Sequence, residues 1–134
     1  MSQSSTRKRV LFVCIENSNR SQMAEAFAKM HGSDRVEAFS AGSSPSGRVN
    51  PKAIEAMQEL GYDLDRHRSK PIEDLPKGEF DVVVSMGCGD ACPTVPAQRR
   101  DEWQIPDPRG MGPVEFREVR DLIATKVKDL LAAI

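Results

Sequence analysis

The stretch from Arg9 to Met30 reads RVLFVCIENSNRSQMAEAFAKM, and its apolar pattern changes from a continuous run to a helical spacing. The run Val10–Val13 is β-branched, aliphatic and aromatic, which is typical of a strand covered on both faces. The apolar residues that follow recur at the spacing of one helix face: Met23, Ala24, Phe27 and Met30. The sequence therefore predicts a buried strand, a polar loop over Ile15–Asn19 and a helix that begins near Arg20.

Cys14 stands where the predicted strand ends, and Arg20 follows at the start of the predicted helix. A helix start has unpaired N–H groups and partial positive charge, so this turn can bind a tetrahedral oxyanion. The same field stabilises a thiolate, which is the nucleophilic form of cysteine. A guanidinium can hold two oxyanion oxygens at once. The strand before and the helix after favour a catalytic Cys14 over a small buried hydrophobic residue.

The segment CIENSNRSQMAEAF resembles the active-site loop of the low-molecular-weight tyrosine phosphatase fold, and more closely that of the arsenate reductases that share it. The likeness extends from Lys8 onward and implies an α/β three-layer sandwich with a four-stranded parallel sheet. It also implies that Cys14 is the nucleophile, Arg20 the oxyanion clamp and Ser21 the hydroxyl that hydrogen-bonds the thiolate. Gln22 is similar to the reductases, because the phosphatases usually carry proline there.

The resemblance implies an oxyanion-binding loop formed by Ile15, Glu16, Asn17, Ser18, Asn19, Arg20 and Ser21. Asn17 matches a loop asparagine with an unusual backbone conformation, which asparagine tolerates well. Glu16 stands where many relatives have glycine, and we expect its carboxylate to face solvent because it would otherwise repel the substrate. Asn19 stands where many relatives have a second loop cysteine, so any redox step must use thiols from elsewhere.

Composition and length predict one soluble domain. We expect residues 8–134 to form that domain after a disordered polar tail, Met1–Arg7. The chain has 39% hydrophobic and 29% charged residues, and its net charge of −1 argues against a nucleic-acid or membrane-surface partner. The apolar run VLFVCI is too short for a signal peptide or a membrane span, so we expect a cytoplasmic protein. Three cysteines in a reducing compartment are more typical of reactive than of structural thiols.

Further elements follow from hydrophobic spacing and turn residues. The sequence predicts strands at Val36–Gly42, Phe80–Met86 and Glu102–Ile105, and helices at Pro51–Leu60 and Pro113–Ile134. Asn50 reads as the N-cap of the first of these helices, and Gly61 as its C-cap. Strands that alternate with helices indicate a parallel sheet between helical layers.

The charged segment Tyr62–Lys77 contains two prolines and is interpreted as a solvated connection with at most one helical turn. His67 lies within it, and the second histidine of the chain is His31. Neither is favoured as a catalytic or metal-binding residue, because two isolated histidines make a poor ligand set.

Cys88 and Cys92 lie in the polar loop after the third predicted strand, at the sheet edge where ligands bind in open α/β folds. A structural zinc site needs four ligands, and the sequence offers no second Cys/His pair, so no metal is expected. The alternative is a redox pair, in which Cys88 attacks the Cys14 sulfur and Cys92 then attacks Cys88. In the thioredoxin-coupled reductases that the chain resembles, two cysteines of this loop act in that way, often at a different spacing.

Asp107 lies between two prolines that fix its backbone, as a catalytic carboxyl requires. A turn-forming aspartate is the alternative. The resemblance implies the first, because Asp-Pro here is similar to the general-acid loop that protonates the leaving oxygen. The phosphatases commonly follow it with a tyrosine pair that lines the phosphotyrosine pocket, whereas this chain has Arg109 and Gly110.

Three hypotheses of function follow. The first is reduction of arsenate to arsenite through a Cys14 thiol-arsenate intermediate, with transfer to a second thiol; no cofactor is bound, and thioredoxin or a small thiol is the external reductant. The alternative is hydrolysis of phosphate monoesters through a cysteinyl-phosphate at Cys14. The third is an oxyanion-binding module without turnover, in which Asp107 is merely structural.

Overall fold

The computed structural model describes residues 7–32, 34–87 and 95–134. Residues 1–6 of the predicted tail therefore lie outside the described residues. The strands are β1 (Lys8–Cys14), β2 (Val36–Gly42), β3 (Phe80–Ser85) and β4 (Ala97–Glu102). The helices are α1 (Arg20–Gly32), α2 (Pro51–Gln58) and α3 (Pro113–Ala133), and two short 3₁₀ turns span Leu64–Arg66 and Ile72–Asp74.

The four strands form one parallel sheet in the order β2-β1-β3-β4. Cys14, the last residue of β1, is in register with Gly42, the last residue of β2. Val13 is in register with Ser85 at the end of β3. The carboxyl ends of three strands therefore meet at one edge, where Cys14 lies. The predicted four-stranded parallel α/β fold is confirmed.

Both faces of the sheet are covered. Val10 and Phe12 of β1 pack with buried side chains of all three helices, including Phe27 and Ile123. Leu11 and Val13, on the opposite face, pack with a smaller cluster that includes Phe80 and partly buried side chains of the second 3₁₀ turn. This arrangement explains the unbroken apolar run in β1, since successive side chains of a strand point to opposite faces.

The fourth strand lies at Ala97–Glu102, so the prediction of a strand over Glu102–Ile105 is wrong. β4 pairs only with β3 and forms an edge of the sheet, and its side chains are exposed or half-buried. Its backbone hydrogen bonds need no apolar side chains, so the polar sequence AQRRDE gives no strand pattern. Trp103 and Ile105, which suggested the strand, are buried just after β4.

The helix boundaries follow their capping residues. The Asn50 side chain accepts the Lys52 backbone N–H at 2.9 Å, so the predicted N-cap of α2 is confirmed. α2 ends at Gln58 with Glu59 as its C-cap, so the predicted end at Leu60 and the predicted C-cap at Gly61 are wrong. Gly61 has a positive φ of 83° in the turn that follows. One side of α3 carries buried apolar residues: Phe116, Val119, Ile123, Val127, Leu130 and Leu131. Within the described ranges, no helix is both long and apolar enough to cross a membrane.

Candidate active site

The loop between β1 and α1 has its carbonyl groups held from outside. The carbonyls of residues 14–19 accept hydrogen bonds from the backbone N–H groups of Ser43, Ser44, Ser46, Asn50 and Met23, the Ser69 hydroxyl and the Gln22 amide. All described peptides are trans. In a planar trans peptide the C=O and the following N–H point in opposite directions. The N–H groups that follow these carbonyls therefore point away from the partners of the carbonyls, which leaves them free of these contacts, as an oxyanion-binding loop requires.

Asn17 shapes this loop through its backbone and its side chain. It has a φ of 52°, so the unusual conformation expected at this position is confirmed. Its Oδ1 accepts the Lys70 backbone N–H at 3.0 Å and the Gln22 side-chain amide at 2.9 Å. Its Nδ2 donates to Ser21 Oγ at 2.7 Å. These bonds hold a left-handed conformation that most side chains would disfavour.

Cys14 is a free, buried thiol whose Sγ lies 2.8 Å from Ser21 Oγ. Because Ser21 Oγ accepts the Asn17 amide, its own O–H remains to donate to the sulfur. This hydrogen bond fixes the position of the sulfur relative to the first turn of the helix. The geometry matches the arrangement that the resemblance implies for Cys14 and Ser21.

A cavity of about 140 Å³ opens in front of the sulfur. It is lined by Cys14, Ile15, Glu16, Ser18, Asn19, Arg20, Asp107 and Arg109. Residues from two loops separated by more than 80 positions in sequence thus face one space. Asn17 and Ser21, which the sequence also predicted to bind the oxyanion, are not among the lining residues; they hydrogen-bond to each other, and Ser21 contacts the Cys14 sulfur.

Arg20 reaches this cavity through a fixed side chain. Its Nη1 donates to the Ile105 carbonyl at 3.1 Å, and its Nη2 lies 4.0 Å from Asp107 Oδ2. A Cβ at Gly87 would lie 2.2 Å from Arg20 Nη1, and Gly87 has a positive φ of 82°. Only glycine combines that backbone conformation with so close an approach. Gly87 therefore provides the room that the guanidinium occupies.

Asp107 forms a turn and also lines the cavity. Its Oδ1 accepts the Arg109 backbone N–H at 3.1 Å, which is the hydrogen bond of an Asx turn. Its Oδ2 faces Arg20, and the half-exposed side chain lines the cavity with Cys14. The turn thus fixes a carboxyl group at the entrance of the cradle.

We expected the Glu16 carboxylate to face solvent; it is partly exposed, but it is paired with Arg109 and lines the cavity. Arg109 Nη1 donates to Glu16 Oε2 at 2.7 Å, and both side chains line the cavity. The Glu16 side chain is 39% exposed and that of Arg109 is 65% exposed. The carboxylate stays beside the anion cradle because a guanidinium from the other loop neutralises it, a contact that local sequence does not reveal.

The segment Tyr62–Lys77 is more than a solvated connection, because its inner side supports the loop. His67 is buried; its Nδ1 lies 2.9 Å from Gln22 Oε1 and its Nε2 lies 2.6 Å from Tyr62 Oη. Burial lowers the pKa of His67, so its neutral form is favoured. Gln22 accepts from His67 Nδ1–H and donates onward to Asn17, which places His67 two side chains away from the cradle.

Glu25 is a second buried group that sequence reasoning missed. Its Oε2 pairs with Lys29 Nζ at 2.7 Å, and its Oε1 accepts the Ser40 hydroxyl at 2.5 Å. Lys70 Nζ lies 3.9 Å from Oε1, and burial lowers the pKa of Lys70. A glutamate on a helix ordinarily faces water, so the sequence alone carries no signal of this buried group.

Two predicted site residues, Cys88 and Cys92, lie outside the described residues. Their relay therefore remains a prediction. Within residues 7–32, 34–87 and 95–134, no three His, Cys, Asp or Glu side chains are grouped so that they could hold a metal ion.

Fold and site together define a class: a parallel α/β protein with a buried thiol where its first strand ends, beside a cavity lined by the loop that follows. Residues 9–134 match the family described as low molecular weight phosphotyrosine protein phosphatase. The chain belongs to this family, in agreement with the resemblance seen in its loop sequence.

Similar proteins within this fold carry a different name. A protein named glutaredoxin arsenate reductase from a Synechocystis species is 42% identical over 130 residues, which cover 95% of this chain and 98% of that protein. A Staphylococcus aureus protein named arsenate reductase is 41% identical over 128 residues, which cover 92% and 96%. A solved structure described as an arsenate reductase in the phosphate binding state has a TM-score of 0.84 and 40% identity, covering 95% of this chain and 98% of that one.

Proposed function

We propose that this chain is an arsenate reductase that converts arsenate to arsenite through a covalent Cys14 intermediate. The observation that carries the proposal is the convergence of Cys14, Arg20 and Asp107 on one cavity lined by the loop that follows β1. The names of the relatives with 40–42% identity support arsenate as the substrate, and the solved relative with phosphate supports a tetrahedral oxyanion.

Arsenate enters the cavity and accepts hydrogen bonds from the loop N–H groups and from Arg20. The guanidinium is held at the Ile105 carbonyl, so little side-chain freedom is lost when the substrate binds. Fixed donors that surround the oxyanion also stabilise the charge that develops as arsenic is attacked.

The first chemical step forms a bond between the Cys14 sulfur and arsenic. An As–O bond breaks, and Asp107 gives a proton to the departing oxygen, which leaves as water. Asp107 is suited to this role because its Asx turn fixes the carboxyl at the cavity entrance. The product is a Cys14 thiol-arsenate adduct in which arsenic is still pentavalent.

The second step reduces arsenic. A second thiolate attacks the Cys14 sulfur, a disulfide forms, the S–As bond breaks, and its electron pair goes to arsenic, which leaves as arsenite. We propose Cys88 as the second thiol and Cys92 as the thiol that then attacks Cys88. The alternative route uses an external small thiol directly at Cys14. The external reductant is a thioredoxin- or glutaredoxin-type protein or a small thiol in a cytoplasmic setting.

One experiment tests both the function and the route. Reduced protein is given one equivalent of arsenate and one equivalent of a small thiol, alkylated, and analysed by mass spectrometry for cysteine pairing. A Cys88–Cys92 disulfide supports the internal relay, whereas Cys14 joined to a small thiol supports the external route. We expect Cys14→Ser to abolish arsenite formation, and Cys88→Ser to abolish it only if the relay operates. Arsenite formation by Cys14→Ser would contradict the covalent mechanism.

Hydrolysis of phosphate monoesters is the second candidate, because the family is described as a phosphotyrosine phosphatase and the first chemical step is shared. A Cys14 phospho-intermediate attacked by water needs no further thiol. Robust hydrolysis of an aryl phosphate without arsenate-dependent thiol oxidation would favour this function. Oxyanion binding without either reaction would favour a binding module.

A further inference from the structure

Glu16 and Arg109 meet across the mouth of the oxyanion cavity. Their side chains are 93 positions apart in sequence and are joined by one ion pair, Arg109 Nη1 to Glu16 Oε2 at 2.7 Å. Both residues line the cavity that contains Cys14. The pair therefore links the cradle loop to the loop that carries Asp107.

The two ends of this ion pair stand on fixed backbone. The Glu16 carbonyl accepts both the Ser46 backbone N–H at 3.1 Å and the Ser69 hydroxyl at 2.8 Å. The Arg109 backbone N–H donates to Asp107 Oδ1 at 3.1 Å. Contact between the two side chains thus spans the entrance between two anchored loops.

The charges of Glu16 and Arg109 affect how an oxyanion enters the cavity. An unpaired Glu16 carboxylate beside the cradle would repel an arriving oxyanion, whereas an unpaired Arg109 would attract it. Paired, the two side chains leave the entrance close to neutral, and Arg20 remains the guanidinium that reaches the oxyanion.

The small volume of the cavity limits the size of the ligand that can enter it. The cavity holds about 140 Å³, whereas pockets that enclose a drug-sized ligand begin at about 300 Å³. A free tetrahedral oxyanion needs room only for its four oxygens. A phosphate ester must also pass its organic group through the entrance that Glu16 and Arg109 span. An exposed ion pair is weak enough to open for entry, so the selectivity it adds should be several-fold.

We propose that the Glu16–Arg109 ion pair is a specificity clasp, which admits small free oxyanions and disfavours oxyanions that carry an organic substituent. This inference rests on the proposed function, because it assigns the clasp to the site where arsenate binds. It makes Arg109 a specificity-determining residue.

The test measures binding of inorganic phosphate and of phenylphosphonate to the reduced protein by titration calorimetry. The variants are Glu16→Ala, Arg109→Ala and the double variant. Charge moves phosphate affinity in opposite directions: we expect it to rise roughly threefold in Glu16→Ala, to fall roughly threefold in Arg109→Ala, and to return toward the wild-type value in the double variant.

The ratio of the two affinities isolates the clasp, because both ligands carry the same kind of anionic head and the charge effect largely cancels. We expect all three variants to bind phenylphosphonate about fivefold better relative to phosphate than wild type does. A ratio within twofold of wild type in Arg109→Ala and in the double variant would overturn the proposal.

Arg117→Ala is the matched control. It removes another exposed arginine that joins two elements, through its 2.8 Å ion pair with Glu59, and neither residue lines the oxyanion cavity. It should leave both affinities at their wild-type values, and a changed ratio in this variant would also overturn the proposal. Circular dichroism of each variant verifies that it is folded before the titrations are compared.

Arsenate-dependent thiol oxidation, measured on the same samples, separates the two proposals. If arsenate is reduced but the affinity ratio does not change, the clasp is wrong and the proposed function stands. If the ratio changes but no variant, wild type included, reduces arsenate, the clasp stands and the proposed function is wrong.

Discussion

At the scale of single residues, the site depends on positions where only one type of side chain fits. Asn17 is held in a left-handed conformation, and its side-chain amide donates a hydrogen bond to Ser21 Oγ. The same Ser21 oxygen contacts the Cys14 sulfur. Gly87 leaves the space into which Arg20 extends. Each of these residues acts on the reacting groups through geometry rather than through chemistry of its own.

Gly87→Ala should lower both phosphate affinity and stability, because it places a methyl group against Arg20 and strains the backbone. A Cβ at this position would collide with the Arg20 guanidinium, so we expect phosphate affinity to fall at least tenfold. The positive φ should also lower the free energy of unfolding by about 1–2 kcal/mol. Titration calorimetry with phosphate and urea unfolding measure the two effects.

Gly61→Ala is the control for this substitution. Gly61 has a similar φ of 83°, but a Cβ there would meet no atom within 4 Å. Gly61→Ala should lower the free energy of unfolding by about as much as Gly87→Ala does, and it should retain the phosphate affinity of wild type. Equal losses of affinity in the two variants would show that strain, and not the contact with Arg20, explains the effect.

At the scale of elements, the segment after α2 supports the cradle from outside. Ser69 donates to the Glu16 carbonyl, the Lys70 backbone N–H donates to Asn17, and His67 contacts Gln22. Their partners lie on the cradle loop and on the first turn of α1. A connection with polar composition thus packs as a structural layer, and its one buried ring is the imidazole of His67.

His67 should make stability depend on pH. Burial lowers its pKa in the folded state below the usual 6.5, so the unfolded chain binds a proton first as the pH falls. The stability contributed by neutral His67 is therefore fully present above pH 6.5 and is lost as the pH falls from 6.5 toward the folded pKa. Urea unfolding at pH 7.5 and 5.5 measures this loss.

His67→Gln tests the assignment, because glutamine cannot take up a proton in this range. We expect the variant to be less stable than wild type at pH 7.5 and to lose less stability between pH 7.5 and 5.5. The same pH dependence in variant and wild type would assign the effect to another group.

At the scale of the whole molecule, the parallel sheet positions the site. The register of β1 with β2 and β3 aligns their carboxyl ends, and the cradle follows directly from the last residue of β1. Gly42, opposite Cys14, permits close packing of the loop, because a Cβ there would lie 2.6 Å from the Ile15 carbonyl oxygen. The core holds the strands in this register and contributes no side chain other than Cys14 to the cavity.

Val127→Ala should therefore lower stability without changing the site. Val127 is fully buried on α3, and loss of its two methyl groups should cost about 2 kcal/mol, including the cavity that remains. Val114→Ala on the same helix is the matched control, because Val114 is 64% exposed and should change stability by less than about 0.5 kcal/mol. A large loss of phosphate affinity in folded Val127→Ala would show that the core and the cradle are not independent.

The sequence alone was enough to predict the strand, loop and helix around Cys14, because these features depend on neighbouring residues and on a regular apolar period. The strands β1, β2 and β3 and the apolar face of α3 were predictable for the same reason. The turn at Asp107 was predictable because the prolines beside it restrict the backbone locally.

Only the tertiary structure decided which distant residues meet. The edge strand β4 is held by backbone hydrogen bonds that leave no apolar pattern in its sequence. The contacts of Glu16 with Arg109 and of His67 with Gln22 join residues 93 and 45 positions apart. Local propensity carries no information about such partners, because their proximity results from the packing of the whole sheet and its connections.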